Sequence, residues 1–267
     1  MTIQEAVNRI KAAFDAQAGL TTVDTIKCGN PKDALRGIAC AFLANRTVLD
    51  QAVQAGANLV ITHEPTFYNH RDDTGWLKGD AVYESKRQFL EQHGLVVWRL
   101  HDLPHIVRPD MIVTGMAQAL EFSGPPDAEH PSHYPIAPRT LRELARHCEE
   151  KLAIRGVRFA GDPEMSCARV ALCIGAPGGR AQIESLMTSG VDVVITGESP
   201  EWETCEYVRD AAAAGRRKAL IVLGHANSEE AGVRWITDWI RGIVPEVPVA
   251  HIVTGDPFTF IQSRNGV

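Results

Sequence analysis

Three short stretches of the sequence set imidazole and carboxylate groups side by side: His63-Glu64, His101-Asp-Leu-Pro-His105 and His225-Ala-Asn-Ser-Glu229. Imidazole nitrogens with carboxylate oxygens suit zinc, manganese, iron or nickel, whereas magnesium and calcium prefer oxygen alone. A metal site built from three separated segments is therefore the chemistry these residues offer. Each residue alone has a plainer explanation: a single histidine beside a strand end is usually a hydrogen-bonded loop residue, and Glu229 could merely be an acidic group favoured at a helix N-terminus. Their joint occurrence, in a chain with only ten histidines, favours the site. Ser228 reads as the N-cap of a helix running to Ile240, with His225 in the incoming loop and Glu229 in the first turn. Pro104 argues against a helix between His101 and His105 and for a turn. Glu198, His70, Asp72 and Asp73 are equally compatible with a site and with solvated loops.

The elements that must position these groups alternate. Ile3 to Phe14 has helical spacing, Gly37 to Leu43 is an apolar run, and a helix from Thr47 stops at Gly56 before a strand over Asn58 to Thr62. A helix over Asp80 to His93, with Asp80 as N-cap, stops at Gly94 and feeds a strand from Leu95 to Leu100. Thr140 and Glu143 form a capping box opening a helix to Leu152. Asn45 to Glu64 aligns without gaps on Gly179 to Glu198; Arg36 to Ala41 resembles Arg169 to Ile174, and Leu95 to His101 resembles Ala219 to His225. This internal repeat implies two related α/β lobes with mixed sheets flanked by helices, the metal site lying between the lobes at the C-terminal strand ends, where ligands collect in such folds. Residues 1–121 read as the first lobe, open to completion by the C-terminal segment, and residues 139–267 as the second. Residues 122–138 carry five prolines in seventeen positions and read as a linker. Gly175-Ala-Pro-Gly-Gly179 lacks both the dinucleotide fingerprint and the Lys-Ser/Thr of a phosphate loop, and reads as a turn.

Composition narrows the function. With 45% hydrophobic and 22% charged residues in 267, the chain can bury one large core or two small ones. A net charge of -6 argues against nucleic acid as a partner. The absence of a long apolar run argues against a membrane, and the charged, helical N-terminus against a signal peptide, so a cytoplasmic location is expected. Six scattered cysteines without a CxxC pair suggest neither a disulfide framework nor a thiolate zinc site; Cys40 and Cys173 read as buried structural thiols.

These segments resemble a known family, the dinuclear-metal hexameric proteins named for NGG-one-interacting factor three and described as type 2 GTP cyclohydrolase I-like. The family's Ile-Thr-His-His-Pro strand end reads here Ile61-Thr62-His63-Glu64-Pro65; its His-Thr-Asn-Leu-Asp turn reads His101-Asp102-Leu103-Pro104-His105; its Gly-His-x-x-Ser-Glu segment reads Gly224-His225-Ala226-Asn227-Ser228-Glu229. The resemblance implies metal ligands at His63, Glu64, His105, His225 and Glu229. Two positions depart: Glu64 stands where the family has a second histidine, and His105 where it has aspartate. Three imidazoles and two carboxylates are kept, so the exchange conserves charge. One ion is then expected on His63, His105 and Glu229 and the other on Glu64, His225 and a bridging Glu229. The resemblance also implies a homohexamer, a trimer of dimers, and a small-molecule substrate.

Two divalent transition-metal ions would support metal-assisted hydrolysis, and the resemblance implies that the bond is a C–N bond of a cyclic or amide-like small molecule, with His101 as the candidate general acid or base oriented by Asp102 or Glu198. A second-sphere role for His101 is an equal alternative. Tyr68 to Lys78, longer than its counterpart in the second half, is the candidate for substrate selectivity. The competing expectation is a metal-binding or metallochaperone protein without turnover.

Overall fold

The short aliphatic runs become the inner strands of two five-stranded sheets in a computed structural model that describes residues 1–14, 21–122 and 124–261. In chain order the elements are α1 (Ile3–Ala12), β1 (Ile26–Cys28), β2 (Ile38–Ala41), α2 (Arg46–Gln54), β3 (Leu59–Thr62), α3 (Ala81–Gln92), β4 (Val96–Arg99), α4 (Asp102–Ile106), α5 (Met111–Ala119), β5 (His133–Thr140), α6 (Leu141–Leu152), β6 (Arg158–Ala160), β7 (Ser166–Cys173), α7 (Gly179–Met187), β8 (Val193–Thr196), α8 (Glu206–Ala213), β9 (Ala219–Val222), α9 (His225–Ile243) and β10 (Val249–His251). The chain forms two compact units, one of Met1–Gly115 with Gly232–Thr254 and one of Met116–Ala231 with Gly255–Val267.

In the first unit the strand order is β1-β4-β3-β2-β10. β10, β2, β3 and β4 run parallel and β1 closes the edge antiparallel to β4. Every residue of β2, β3 and β4 is buried, as expected of parallel strands covered on both faces. Val48, Leu49 and Ala52 of α2 and Phe89 and Leu90 of α3 pack on Val60 and Val97 in this core. The second unit has the order β5-β7-β8-β9-β6, with β7, β8 and β9 parallel and both outer strands antiparallel. The mixed α/β class with helix-flanked mixed sheets is the one expected from the sequence.

The repeat is visible in the pairing, with a correction. α2 and β3 correspond to α7 and β8 as aligned, but Leu59 pairs with Val96 whereas its counterpart Val193 pairs with Ala219. Val96, not Leu95, is therefore the structural equivalent of Ala219. On the other side Ile38 corresponds to Val170, so that strand too is displaced by one residue from the sequence alignment.

The stretch 122–138, expected as a linker, contains the start of β5, where His133, Tyr134 and Pro135 pair with Ala171, Val170 and Arg169. Prolines are tolerated because β5 is an edge strand, and the register breaks between Pro135 and Arg139. Ser123 lies outside the described residues. Asp80 caps α3, and Thr140 with Glu143 forms the capping box of α6, as read from the sequence.

Candidate metal centre

In the first unit the parallel register aligns Ala41, Thr62 and Arg99 at the C-terminal ends of β2, β3 and β4. The residues just beyond those ends are His63, Glu64, Leu100 and His101. His101 immediately precedes α4, a helix where the sequence suggested a turn, and His105 lies within its last turn. Pro104 is compatible with it because a proline in the first turn gives up an N–H that has no intrahelical acceptor. The N–H groups of that turn go elsewhere: those of His101, Asp102 and Leu103 all donate to the carboxylate of the fully buried Asp24, at 2.7, 2.8 and 2.8 Å. Asp102 returns the contact by accepting the N–H of Val23.

All three histidines are held the same way. Nδ1 of His63 lies 3.3 Å from the Leu100 carbonyl, Nδ1 of His101 lies 2.8 Å from Asp102 Oδ1, and Nδ1 of His105 lies 2.8 Å from Asp110 Oδ2. A carbonyl and an ionised carboxylate only accept, so Nδ1 must donate in each ring and Nε2 carries the lone pair in the neutral form. The Nε2 atoms of His63 and His105 face each other at 3.3 Å. Two lone pairs at that separation repel unless a proton or a cation lies between them, so the arrangement fits a metal ion. Oxygen acceptors behind metal-binding imidazoles are the usual second layer of such sites. His63, His101 and His105 form one group whose donor atoms lie within 4.8 Å of one another. His101, expected outside the ligand set, thus stands among candidate ligands.

Glu64 sits between a base and a cation, with Oε1 3.5 Å from His101 Nε2 and Oε2 3.4 Å from the guanidinium of Arg99. Burial pushes the His101 pKa down, but the hydrogen bonds to Glu64 and Asp102 outweigh it and the imidazole titrates above its usual value. Burial raises the Asp102 carboxyl, while His101 and the Val23 N–H more than compensate and leave it below the usual range. His70 stands edge-on to His101 at 5.6 Å between ring centroids. Asp72 and Asp73 serve the loop itself: Asp72 accepts the Phe67 N–H and pairs with Lys27 at 3.4 Å, and Asp73 accepts the Gly75 N–H.

In the second unit His225 and Glu229 both lie on α9, one turn apart, with His225 Nε2 3.4 Å from Glu229 Oε2. The helix begins at His225, so Ser228 lies inside it and is no N-cap. Its hydroxyl instead donates to the His225 carbonyl and accepts the N–H of Gly175, tying the turn after β7 to the helix. Gly175 has a φ of +69°, and a Cβ there would come 2.3 Å from Glu229 Oε1, so only glycine allows the approach. Nδ1 of His225 is held by Glu198 Oε1 at 2.8 Å, repeating the pattern of the first unit. Glu198 therefore orients His225, and Asp102 orients His101. Asp24, Arg99 and Asp110 were not singled out in the sequence, and Gly175 was read only as part of a turn; of the first three, only Asp110, a carboxylate just ahead of an apolar helical run, carries a local signal, that of an N-cap.

Two α/β units whose strand ends carry oxygen-held histidines beside carboxylates define a fold with candidate metal-binding groups. The family Duf34/NIF3 (NGG1p interacting factor 3) matches residues 132–256. A "GTP cyclohydrolase 1 type 2 homolog" of Escherichia coli K12 is 28% identical over 215 residues, 79% of this chain and 81% of that protein. A crystal structure of a Staphylococcus aureus protein superposes with a TM-score of 0.77 at 17% identity, covering 98% of this chain and 99% of the other. A Bacillus cereus protein related to NIF3 gives a TM-score of 0.75 at 14% identity, with 98% and 99% covered. At such identities the structural likeness speaks for the fold. Over residues 132–256 the chain is similar to the Duf34/NIF3 family, and over 79% of its length to the cyclohydrolase-like proteins.

Proposed function

We propose that the protein is a metal-dependent hydrolase that cleaves a C–N bond of a cyclic or amide-like small molecule, in the manner suggested by its type 2 GTP cyclohydrolase-like relatives. The observation that carries the reading is the common posture of the histidines, each with Nδ1 engaged by an oxygen and Nε2 turned towards a second donor group. His63, Glu64, His105, His225 and Glu229 would hold two divalent ions, zinc, manganese, iron or nickel by donor type. Bound there, such ions supply polarisation of the attacked group and activation of water.

The chain's own residues handle the protons. His101 keeps one proton at Nδ1 against Asp102, and its hydrogen bonds to Glu64 and Asp102 raise its pKa and so favour a second proton at Nε2 towards Glu64, which makes it the candidate general acid for a departing nitrogen. Glu198 fixes the tautomer of His225, so that Nε2 faces Glu229. The resemblance further supports a homohexamer, a trimer of dimers, and a cytoplasmic location is part of the same proposal. Among the described residues no helix is long and apolar enough to cross a membrane.

A second reading, a metal-binding or metallochaperone protein without turnover, is favoured by the place of His101 in the three-histidine group, since a ligand there gives up its acid–base role. The test is purification with metal quantified per chain, light scattering for the hexamer, and a screen of cyclic amides and nucleotides against the unsubstituted protein and His225→Ala. Hydrolysis lost in His225→Ala supports the enzyme. Inert substrates with ready transfer of metal to an apo-enzyme sink it in favour of the second reading.

A further inference from the structure

Arg99 ends β4 with its side chain fully buried, and its contacts are with the loop that follows β3. Nε donates to the His63 carbonyl at 3.0 Å, one terminal nitrogen donates to the His70 carbonyl, and the other lies 3.4 Å from Glu64 Oε2. A guanidinium away from water is costly unless paired, and its planar fork fixes the direction of whatever pairs with it.

The second unit supplies the comparison. Thr62 pairs with Arg99, and its repeat counterpart Thr196 pairs with Val222, so the same place in the sheet is filled there by a valine. Strand packing at that position does not require a cation. The counterpart of Glu64 is Glu198, which holds the ring of His225 instead of an arginine. The arginine therefore accompanies a particular use of Glu64.

We infer that Arg99 is a positioning residue that occupies one oxygen of Glu64, confines the carboxylate to a single oxygen facing His101, and so biases the site towards nitrogen-preferring ions. The inference rests on the metal-site reading above. A carboxylate with both oxygens available and its charge unopposed favours hard, oxygen-preferring ions such as manganese; one held and half-neutralised by a guanidinium leaves the imidazoles to decide, which favours zinc.

The test is the ratio of zinc to manganese affinity, measured by competition on the apo-protein, with circular dichroism to check the fold. The set is the unsubstituted chain, Arg99→Met, Arg99→Lys, Glu64→Gln and both arginine substitutions combined with Glu64→Gln. Arg99→Met should shift the ratio towards manganese by about tenfold or more, Arg99→Lys should shift it less because the charge remains, and neither should move it in the Glu64→Gln background. Should Arg99→Met fail to fold, the Arg99→Lys pair carries the comparison. A shift of equal size with and without Glu64, or no shift, would mean that Arg99 only holds the loop, and overturns the inference alone. Failure of the unsubstituted protein to take up either metal overturns the metal-site reading and this inference with it.

Discussion

The carboxylate of Asp24 accepts the backbone N–H of His101 at 2.7 Å, and with it the next two N–H groups of the chain. A residue far away in sequence thereby sets the start of α4 and the direction in which His101 leaves it. Asp24→Ala leaves three N–H groups without that acceptor in a region closed to water, and should cost roughly 3 kcal/mol. Urea unfolding measures the cost, and zinc uptake should fall in parallel. An unchanged midpoint would show that the turn is held by other means.

Asp24 also marks what the sequence could not convey. The inner strands β2, β3, β4, β7, β8 and β9 and the repeat followed from aliphatic runs bounded by glycines, because parallel strands buried on both faces must be continuously apolar, whereas the outer strands β1, β5, β6 and β10 were not read. His63, His101, His105 and His225 were legible because they leave such strands. What decided their orientation was not: the carboxylates of Asp24 and Glu198 and the carbonyl of Leu100 come from other segments, and nothing local in the sequence marks a long-range acceptor. Ser228 looked like an N-cap, yet α9 starts earlier and its hydroxyl bonds across to Gly175. Pro104 looked like a helix breaker, yet proline in a first turn costs no hydrogen bond. The β5 prolines looked like a linker because sequence alone does not reveal an edge strand.

Asp110 divides its two oxygens between two tasks. Oδ1 accepts the N–H groups of Ile112 and Val113 at the start of α5, while Oδ2 holds His105 Nδ1. Asp110→Asn can keep the cap through its amide oxygen but turns an NH2 towards the imidazole. Metal affinity should fall by roughly 10- to 100-fold while the melting temperature of the apo-protein changes little. Calorimetric titration with zinc reads the first and a thermal scan the second. Unchanged affinity would remove His105 from the ligand set.

Gly175 and Gly178 allow strain to be separated from contact. Both have positive φ, +69° and +85°, but a Cβ at Gly178 meets nothing within 4 Å, whereas one at Gly175 meets Glu229 Oε1. Alanine at either position should cost roughly 1 to 3 kcal/mol in backbone strain. Only Gly175→Ala should also displace Glu229 and weaken metal binding. Comparing zinc titrations of the two variants checks this; equal affinities would show that Glu229 has room to move.

Lys86 on α3 is 8% exposed, donates to the Thr66 carbonyl, and lies 5.6 Å from the Phe67 ring centroid. Burial lowers its pKa from 10.5 to about 8, against a smaller opposing pull from Asp72. Between those two values the unfolded chain binds more protons than the folded one, so stability rises with pH. The contribution is fully present above pH 10.5 and is lost as pH falls to about 8, a difference on the order of 3 kcal/mol. Lys86→Met removes the ionisable group, so its unfolding free energy should climb less steeply over that range than that of the unsubstituted protein. Denaturant titrations from pH 7.5 to 10.5 on both proteins, each as apo-protein, give the comparison, and the difference between them cancels the tyrosines and thiols that titrate in the same window. Parallel curves would mean that the Lys86 ammonium keeps its ordinary pKa despite its burial.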